Sequence, residues 1–218
     1  MTNLIFIDGP PGVGKSTLAE TLAAQLPGYK LLLEMDTEHP LHPVPVSEGG
    51  ADFTQISGMD VNELGDLLLS KWKLFLTAAE DQSFILESYP YQSHLRVLWQ
   101  MNAPGDLLAD WLTEFHKLFS ADRPLLVTLN YTGDADRLNQ IYTDRGDAWM
   151  DFMIEFATNT PYGKAHNLTG YDGTLQLLSD YREVLKTWVD QWPFQRIDFE
   201  AWIELPQSQA AHVRGRLL

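Results

Sequence analysis

The chain has 218 residues, of which 44% are hydrophobic and 21% charged. This length and composition favour one globular domain, residues 1–218, with a sizeable hydrophobic core. The formal net charge of −15 argues against a nucleic acid or an anionic membrane as partner, because either needs a basic surface to hold it. The absence of cysteine excludes disulfides, thiolate metal sites and a cysteine nucleophile.

No apolar stretch approaches the roughly 20 residues that are needed to span a bilayer. The first expected strand begins near residue 3, which leaves no room for a signal or transit peptide before it. These two features predict a cytoplasmic protein, in a compartment where ATP is present.

The most informative motif follows the first apolar run, Leu4 to Ile7, which is typical of a strand buried on both faces. Residues 9–16 read GPPGVGKS and match the pattern G-x-x-x-x-G-K-[ST] between a strand and a helix. The glycines allow the backbone to close around an anion, and the N–H groups at the start of the helix point at it. We therefore expect a nucleoside triphosphate to bind at Gly9, Gly12, Val13, Gly14, Lys15, Ser16 and Thr17.

Within this motif, Lys15 is expected to reach the β- and γ-phosphates and Ser16 to hold Mg²⁺. ATP is anionic and the chain as a whole is acidic. The positive charge that attracts the nucleotide must therefore be local and come from Lys15, Mg²⁺ and a few arginines.

Apolar periodicity predicts an alternation of strands and helices along the rest of the chain. After the helix that follows the motif, the expected elements are a buried strand from Tyr29 to Glu34, a helix capped by Asp60, a strand from Ser83 to Glu87, a helix opened by Pro104-Gly105, a strand from Pro124 to about Thr128, helical structure from Asp134 to Phe156, a helix around 177–188 and a last strand near Phe194 to Phe199. This order predicts an α/β fold of three layers, a central parallel sheet of about five strands flanked by helices.

Ligands of such sheets bind at the carboxyl ends of the strands. That rule gathers the 9–16 loop, Glu34, Asp36 and Glu87 at one edge. Glu87 is the first candidate for a carboxylate that supports Mg²⁺, and Glu34 is the second. The alternative for either residue is a strand-end carboxylate that caps a helix or forms a surface ion pair.

Arginines are few in this chain, and Arg145 stands beside Gly146 after a helical segment. An arginine in that position suits a lid, expected around residues 134–165, that closes over the phosphates and shields them from water. The alternative is a surface pairing with the neighbouring aspartates. For Arg137 the two interpretations are equally open.

The chain resembles the P-loop kinases of the deoxynucleoside kinase and thymidylate kinase group. Beyond GPPGVGKST, the resemblance rests on KLLLE, FILESY and RPLLVTLNYTGDADRLNQIYTDRG, and it runs from Leu4 to about Phe199. It implies the P-loop NTPase fold, a base on the acceptor hydroxyl at Glu34, with Asp36 as the alternative, and Arg145 in the lid. Ser88 stands where the family has an arginine after the acidic residue. Arg96 follows the Glu87 strand closely enough to reach the substrate, and amphipathic packing is an equally good explanation of its position.

The resemblance implies a small-molecule kinase, an ATP-dependent phosphotransferase that moves the γ-phosphoryl group of ATP·Mg²⁺ to a hydroxyl of a small molecule, with a phosphate group as the alternative acceptor. The acceptor is expected to be nucleoside- or nucleotide-like, while an antibiotic, sugar or vitamin precursor stays open. A homodimer is compatible with this expectation. The alternative is a nucleotide-dependent hydrolase or switch that acts through a protein partner.

Overall fold

The computed structural model describes residues 3–44, 46–47, 50–51, 56, 58–119, 123–131 and 143–217, without the side chains of 46–47 and 50–51. Its main sheet consists of five parallel strands, β1 (Asn3–Asp8), β2 (Tyr29–Leu32), β5 (Ser83–Glu87), β6 (Leu125–Asn130) and β7 (Arg196–Glu200). Their spatial order is β2-β5-β1-β6-β7. A short antiparallel hairpin, β3 (Val46–Ser47) and β4 (Gly50–Ala51), lies in the connection after β2.

Helices cover both faces of the sheet. They are α1 (Lys15–Gln25), α2 (Val61–Ala78), a π-helix (Tyr91–Leu95) continued by α3 (Arg96–Gln100), α4 (Gly105–Lys117), α5 (Asp147–Asn159), α6 (Pro161–Ala165), α7 (Gly170–Val189) and α8 (Pro206–Leu217). None of the helices in the described ranges is both long enough and apolar enough to cross a membrane.

The central strand β1 divides the core into two halves. Leu4 and Phe6 point into the larger cluster, while Ile5 and Ile7 point into the smaller one on the opposite face. The smaller cluster includes Leu18 of α1, which packs against α8. These contacts make three layers, so the predicted α/β fold with a five-stranded parallel sheet is confirmed.

Two details of the prediction need correction. The segment from Tyr29 was expected to be a buried strand reaching Glu34, but β2 ends at Leu32 and is only partly buried. It is one of the two edge strands of the sheet, and within the described residues it pairs with β5 alone. Glu34 therefore lies in a turn beyond the strand end.

The region predicted as a lid, 134–165, is described only from residue 143. Residues 143–145 are helical, and α5 and α6 follow, with α5 packed against α7. Residues 134–142, including Arg137, lie outside the described ranges, and the closing motion stays a prediction.

Candidate active site

The loop between β1 and α1 turns through glycines with positive φ. Gly9 has φ 151° and Gly14, which precedes α1, has φ 94°. A Cβ atom on Gly9 would lie 2.1 Å from the carbonyl oxygen of Leu129 in β6, so no larger residue fits without a backbone shift. Val13 is buried in the smaller core cluster, whereas Ser16 and Thr17 are exposed at the start of α1. The N-terminus of this helix thus opens toward solvent, as a phosphate site requires.

Asp8 fixes this loop to the π-helix that follows β5. One carboxylate oxygen accepts a hydrogen bond from Gly9 N at 2.7 Å, and the other accepts one from Tyr91 N at 2.7 Å. Gln92 N lies 3.3 Å from the first of these oxygens. Burial raises the pKa of Asp8 to about 7, although Lys15 and these N–H groups act in the opposite direction. The role of Asp8 is therefore to hold two backbone segments together.

Lys15 is buried, with 5% of its surface exposed. Its Nζ donates hydrogen bonds to the carbonyl oxygen of Pro10 at 3.0 Å and to Oε1 of Gln92 at 2.7 Å. Burial lowers the pKa of Lys15, while the negative charges of Glu87, Glu34 and Asp8 counteract that shift. The ammonium group of Lys15 thus folds back onto the 9–14 loop and is surrounded by the negative charges of these three carboxylates.

Ser16 and Glu87 meet at the carboxyl ends of β1 and β5. The Ser16 hydroxyl donates to Oε1 of Glu87 at 3.2 Å, and Ser88 donates to the same oxygen at 2.8 Å. The other oxygen of Glu87 accepts a hydrogen bond from Glu34 N at 2.9 Å. A hydroxyl and a carboxylate form the oxygen donor set that Mg²⁺ prefers.

These two residues fit a Mg²⁺ ion of the kind that binds with a nucleotide. In the described ranges no group of three or more His, Cys, Asp or Glu residues could hold a metal by itself. Mg²⁺ at kinase sites usually takes one or two protein oxygens, with substrate phosphates and waters completing its shell. The pair formed by Ser16 and Glu87 meets that requirement.

Glu34 is held with its carboxylate directed at the same site. Gln92 Nε2 donates to one of its oxygens at 2.6 Å, and the hydroxyl of Ser93 donates to the other at 2.8 Å. Asp36, the alternative base, accepts a hydrogen bond from Leu33 N at 2.8 Å and closes the turn after β2. Glu34, rather than Asp36, is the carboxylate connected to Lys15 through a shared partner.

That shared partner is Gln92, which the sequence did not reveal. Its amide oxygen accepts from Lys15 and its amide nitrogen donates to Glu34, so one buried side chain bridges the two charged groups. Gln92 and Ser93 lie in the π-helix, a rare element that is frequent at functional sites. The only indication in the sequence that these two residues belong to the site was their position, five and six residues after Glu87.

Arg145 lies apart from this group of residues. It is exposed, and its guanidinium lies over the ring of Trp149, 4.8 Å from the ring centroid. In the described part of the chain no contact joins it to residues 9–17. Its role at the phosphates therefore depends on a lid movement and stays a prediction.

Solved structures with this fold cover nearly the whole chain. The YorR protein of Bacillus subtilis, in complex with phosphorylated GDP, aligns over 99% of this chain and 95% of its own, at 18% identity and a TM-score of 0.54. Thymidylate kinase from Candida albicans aligns over 99% and 91%, at 14% identity and a TM-score of 0.51. Deoxyadenosine kinase from M. mycoides with bound dATP aligns over 99% and 98%, at 15% identity and a TM-score of 0.50.

No protein-family model matches the sequence, and no curated protein matches it. At identities of 14–18% the similarity concerns the fold and leaves the subfamily unresolved. The chain has the three-layer fold of the P-loop kinases.

Proposed function

We propose that this protein is a kinase that transfers the γ-phosphoryl group of ATP, bound with Mg²⁺, to a hydroxyl group of a small molecule. The observation that carries the proposal is the bridge from Lys15 through Gln92 to Glu34. In the unliganded protein the Gln92 amide thereby holds the Lys15 ammonium, which can bind phosphate, on one side and the Glu34 carboxylate, which can accept a proton, on the other. Two of the solved structures with a similar fold are kinases, which supports phosphoryl transfer as the first reaction to test.

In this reaction, Lys15 and the N–H groups at the start of α1 bind the phosphates and stabilise the charge that develops during transfer. Ser16 and Glu87 would hold Mg²⁺, which when bound neutralises phosphate charge. On nucleotide binding, the Lys15 ammonium exchanges its bond to Gln92 for phosphate oxygens. Arg145 is proposed to add positive charge when the 134–165 region closes.

Glu34 orients the acceptor hydroxyl and takes its proton. The hydroxyl oxygen forms a bond to the γ-phosphorus, the bond from that phosphorus to the β,γ-bridging oxygen breaks, and ADP leaves. Gln92 and Ser93 each hold one oxygen of the carboxylate, which directs the remaining lone pairs toward the incoming hydroxyl. This arrangement supplies the positioning on which phosphoryl transfer mainly depends.

The role of Glu34 is tested by Glu34→Gln, with Glu38→Gln on the same exposed connection as the matched control. We expect Glu34→Gln to lower kcat by about 10²- to 10⁴-fold with an unchanged affinity for an ATP analogue, because the amide cannot accept the proton. Full activity of Glu34→Gln would contradict the assignment. ATP hydrolysis that needs no acceptor and is accelerated by a protein partner would instead favour the nucleotide-dependent switch.

A further inference from the structure

Arg96 is the first residue of α3 and lies one turn beyond Gln92. Its guanidinium lies over two aromatic rings, with the central carbon 5.6 Å from the ring centroid of Tyr181 and 5.7 Å from that of Phe156. Its positive charge also contributes to the lowered pKa of Lys15. Arg96 therefore lies one helical turn from the residue that bridges Lys15 and Glu34, and it contacts helices α5 and α7.

This arginine has no carboxylate partner among the described residues. The ion pairs found within those ranges are formed by Lys117, Arg182 and Arg196, not by Arg96. The Nε atom of Arg96 is buried and has no hydrogen bond. The chain has twice as many acidic as basic residues, 30 against 15. In so acidic a protein, a partly buried guanidinium without a carboxylate is a binding group for an anion that comes from outside.

Two neighbouring side chains also bury polar atoms without partners. The hydroxyl of Tyr181 is fully buried and has no hydrogen bond, and both amide atoms of Gln100, which is 2% exposed, lack one. Burial raises the pKa of Tyr181, and the negative charges of Asp8 and Glu34 raise it further. A buried polar atom without a partner is costly and points to a ligand that supplies the missing bond.

The spacing along the helix orders these groups. Gln92, Arg96 and Gln100 follow one another at intervals of four residues in the continuous helix 91–100, so their side chains leave the same side of it. Arg96 lies about one turn and Gln100 about two turns beyond Gln92 along this helix. The three polar side chains therefore form a row that begins at the transfer site.

We propose that Arg96 binds an anionic group of the acceptor, so that the substrate is a phosphate ester or a carboxylate and not a neutral nucleoside or sugar. This inference rests on the proposed kinase function and names the chemical class of its acceptor. Tyr181 and Phe156 fix the plane of the guanidinium, which then offers two parallel N–H groups to a pair of anionic oxygens.

The test compares binding of neutral and anionic molecules of the same shape. Calorimetry measures the affinity of the wild type and of Arg96→Gln for three pairs, each a neutral molecule and its anionic counterpart: thymidine and thymidine 5′-monophosphate, deoxyadenosine and deoxyadenosine 5′-monophosphate, and methyl shikimate and shikimate. Each titration is run with and without a non-hydrolysable ATP analogue. Arg196→Gln is the control, because Arg196 lies at the opposite end of the sheet and pairs with Asp190 and Asp198.

We expect the wild type to bind a monophosphate, or shikimate, at least ten times more tightly than its neutral counterpart. Arg96→Gln should lose ten- to a hundred-fold of that affinity and keep its affinity for the ATP analogue, while Arg196→Gln keeps both. A preference for a monophosphate identifies the anion as phosphate, and a preference for shikimate identifies it as carboxylate. Arg96→Lys, which keeps the charge but not the planar fork, should show an intermediate loss and replaces Arg96→Gln if that variant does not fold.

Three results would overturn the inference. They are equal binding by the wild type of every anionic molecule and its neutral counterpart, binding of none of the anionic molecules, and an unchanged acceptor affinity in Arg96→Gln. If a parallel turnover assay then shows a reduced kcat, the last result would place Arg96 at the transferring phosphoryl group and would leave the kinase proposal standing. Failure of the kinase function itself is recognised separately, as absence of binding of the ATP analogue by the wild type.

Discussion

Replacing Gln92 by leucine should destabilise the unliganded protein, because two charged groups lose a buried partner at once. Lys15 Nζ lies 2.7 Å from the amide oxygen and the Glu34 carboxylate 2.6 Å from the amide nitrogen. A hydrogen bond to a charged group contributes about 1.5–3 kcal/mol, and the new apolar surface of leucine offsets part of the loss. We therefore expect the free energy of unfolding to fall by about 2–5 kcal/mol.

Urea unfolding monitored by tryptophan fluorescence measures this change, and each kcal/mol should also lower Tm by about 2–4 °C in a chain of this length. Gln176→Leu is the matched control, because the Gln176 amide bonds Asp180 at 2.7 Å on the exposed face of α7. That control should change the stability by less than about 0.5 kcal/mol. Equal stability of Gln92→Leu and the wild type would show that the hydrogen bonds of Gln92 to Lys15 and Glu34 do not stabilise the protein, which would contradict the prediction.

A second readout separates the bridge from simple packing. When an ATP analogue binds, Lys15 acquires phosphate oxygens in place of Gln92. The stability difference between Gln92→Leu and the wild type should therefore shrink at saturating analogue. A difference that is unchanged by the nucleotide would mean that Lys15 does not exchange partners and that the destabilisation arises elsewhere.

Three further predictions concern the loop, the metal and the pH dependence. Gly9→Ala should cost at least about 3 kcal/mol through strain and the clash with Leu129, whereas Gly28→Ala, where a Cβ meets no atom within 4 Å, should be neutral in thermal melts. Glu87→Gln should raise the Mg²⁺ concentration for half-maximal activity ten- to a hundred-fold, and an unchanged Mg²⁺ titration would contradict its role. Burial lowers the pKa of His94 to about 3, so the folded protein holds this imidazole neutral. The stability that the buried neutral imidazole contributes is therefore present above pH 6.5 and is lost as the pH falls toward 3. An NMR titration of His94 with a midpoint near 6.5 would contradict this prediction.

The sequence predicted those features of the site that depend on local patterns. The phosphate loop is defined by its own glycines and flanks, and the strands before it and before Glu87 are continuous apolar runs in the buried centre of the sheet. Because parallel strands end at the same edge, Glu34 and Glu87 could be expected together. They do meet, through the hydrogen bond from Glu34 N to Glu87 at 2.9 Å.

The helix 91–100 could not be predicted for a physical reason. Apart from Arg96, every one of its residues is buried, so polar and apolar side chains do not separate onto two faces and no periodicity results. Gln92 and Arg96 were therefore not recognisable as members of one polar row. The edge position of β2 was likewise hidden, because strand order depends on contacts between distant segments.

The central claim is tested most directly by following the γ-phosphate of labelled ATP in the presence and absence of candidate acceptors. With the wild type we expect ADP to form only when an acceptor is added, together with an equal amount of phosphorylated acceptor. Lys15→Ala should remove this transfer, while the exposed control Lys117→Ala retains it. ADP formation that does not depend on any acceptor, or undiminished transfer by a folded Lys15→Ala, would contradict the proposed kinase function.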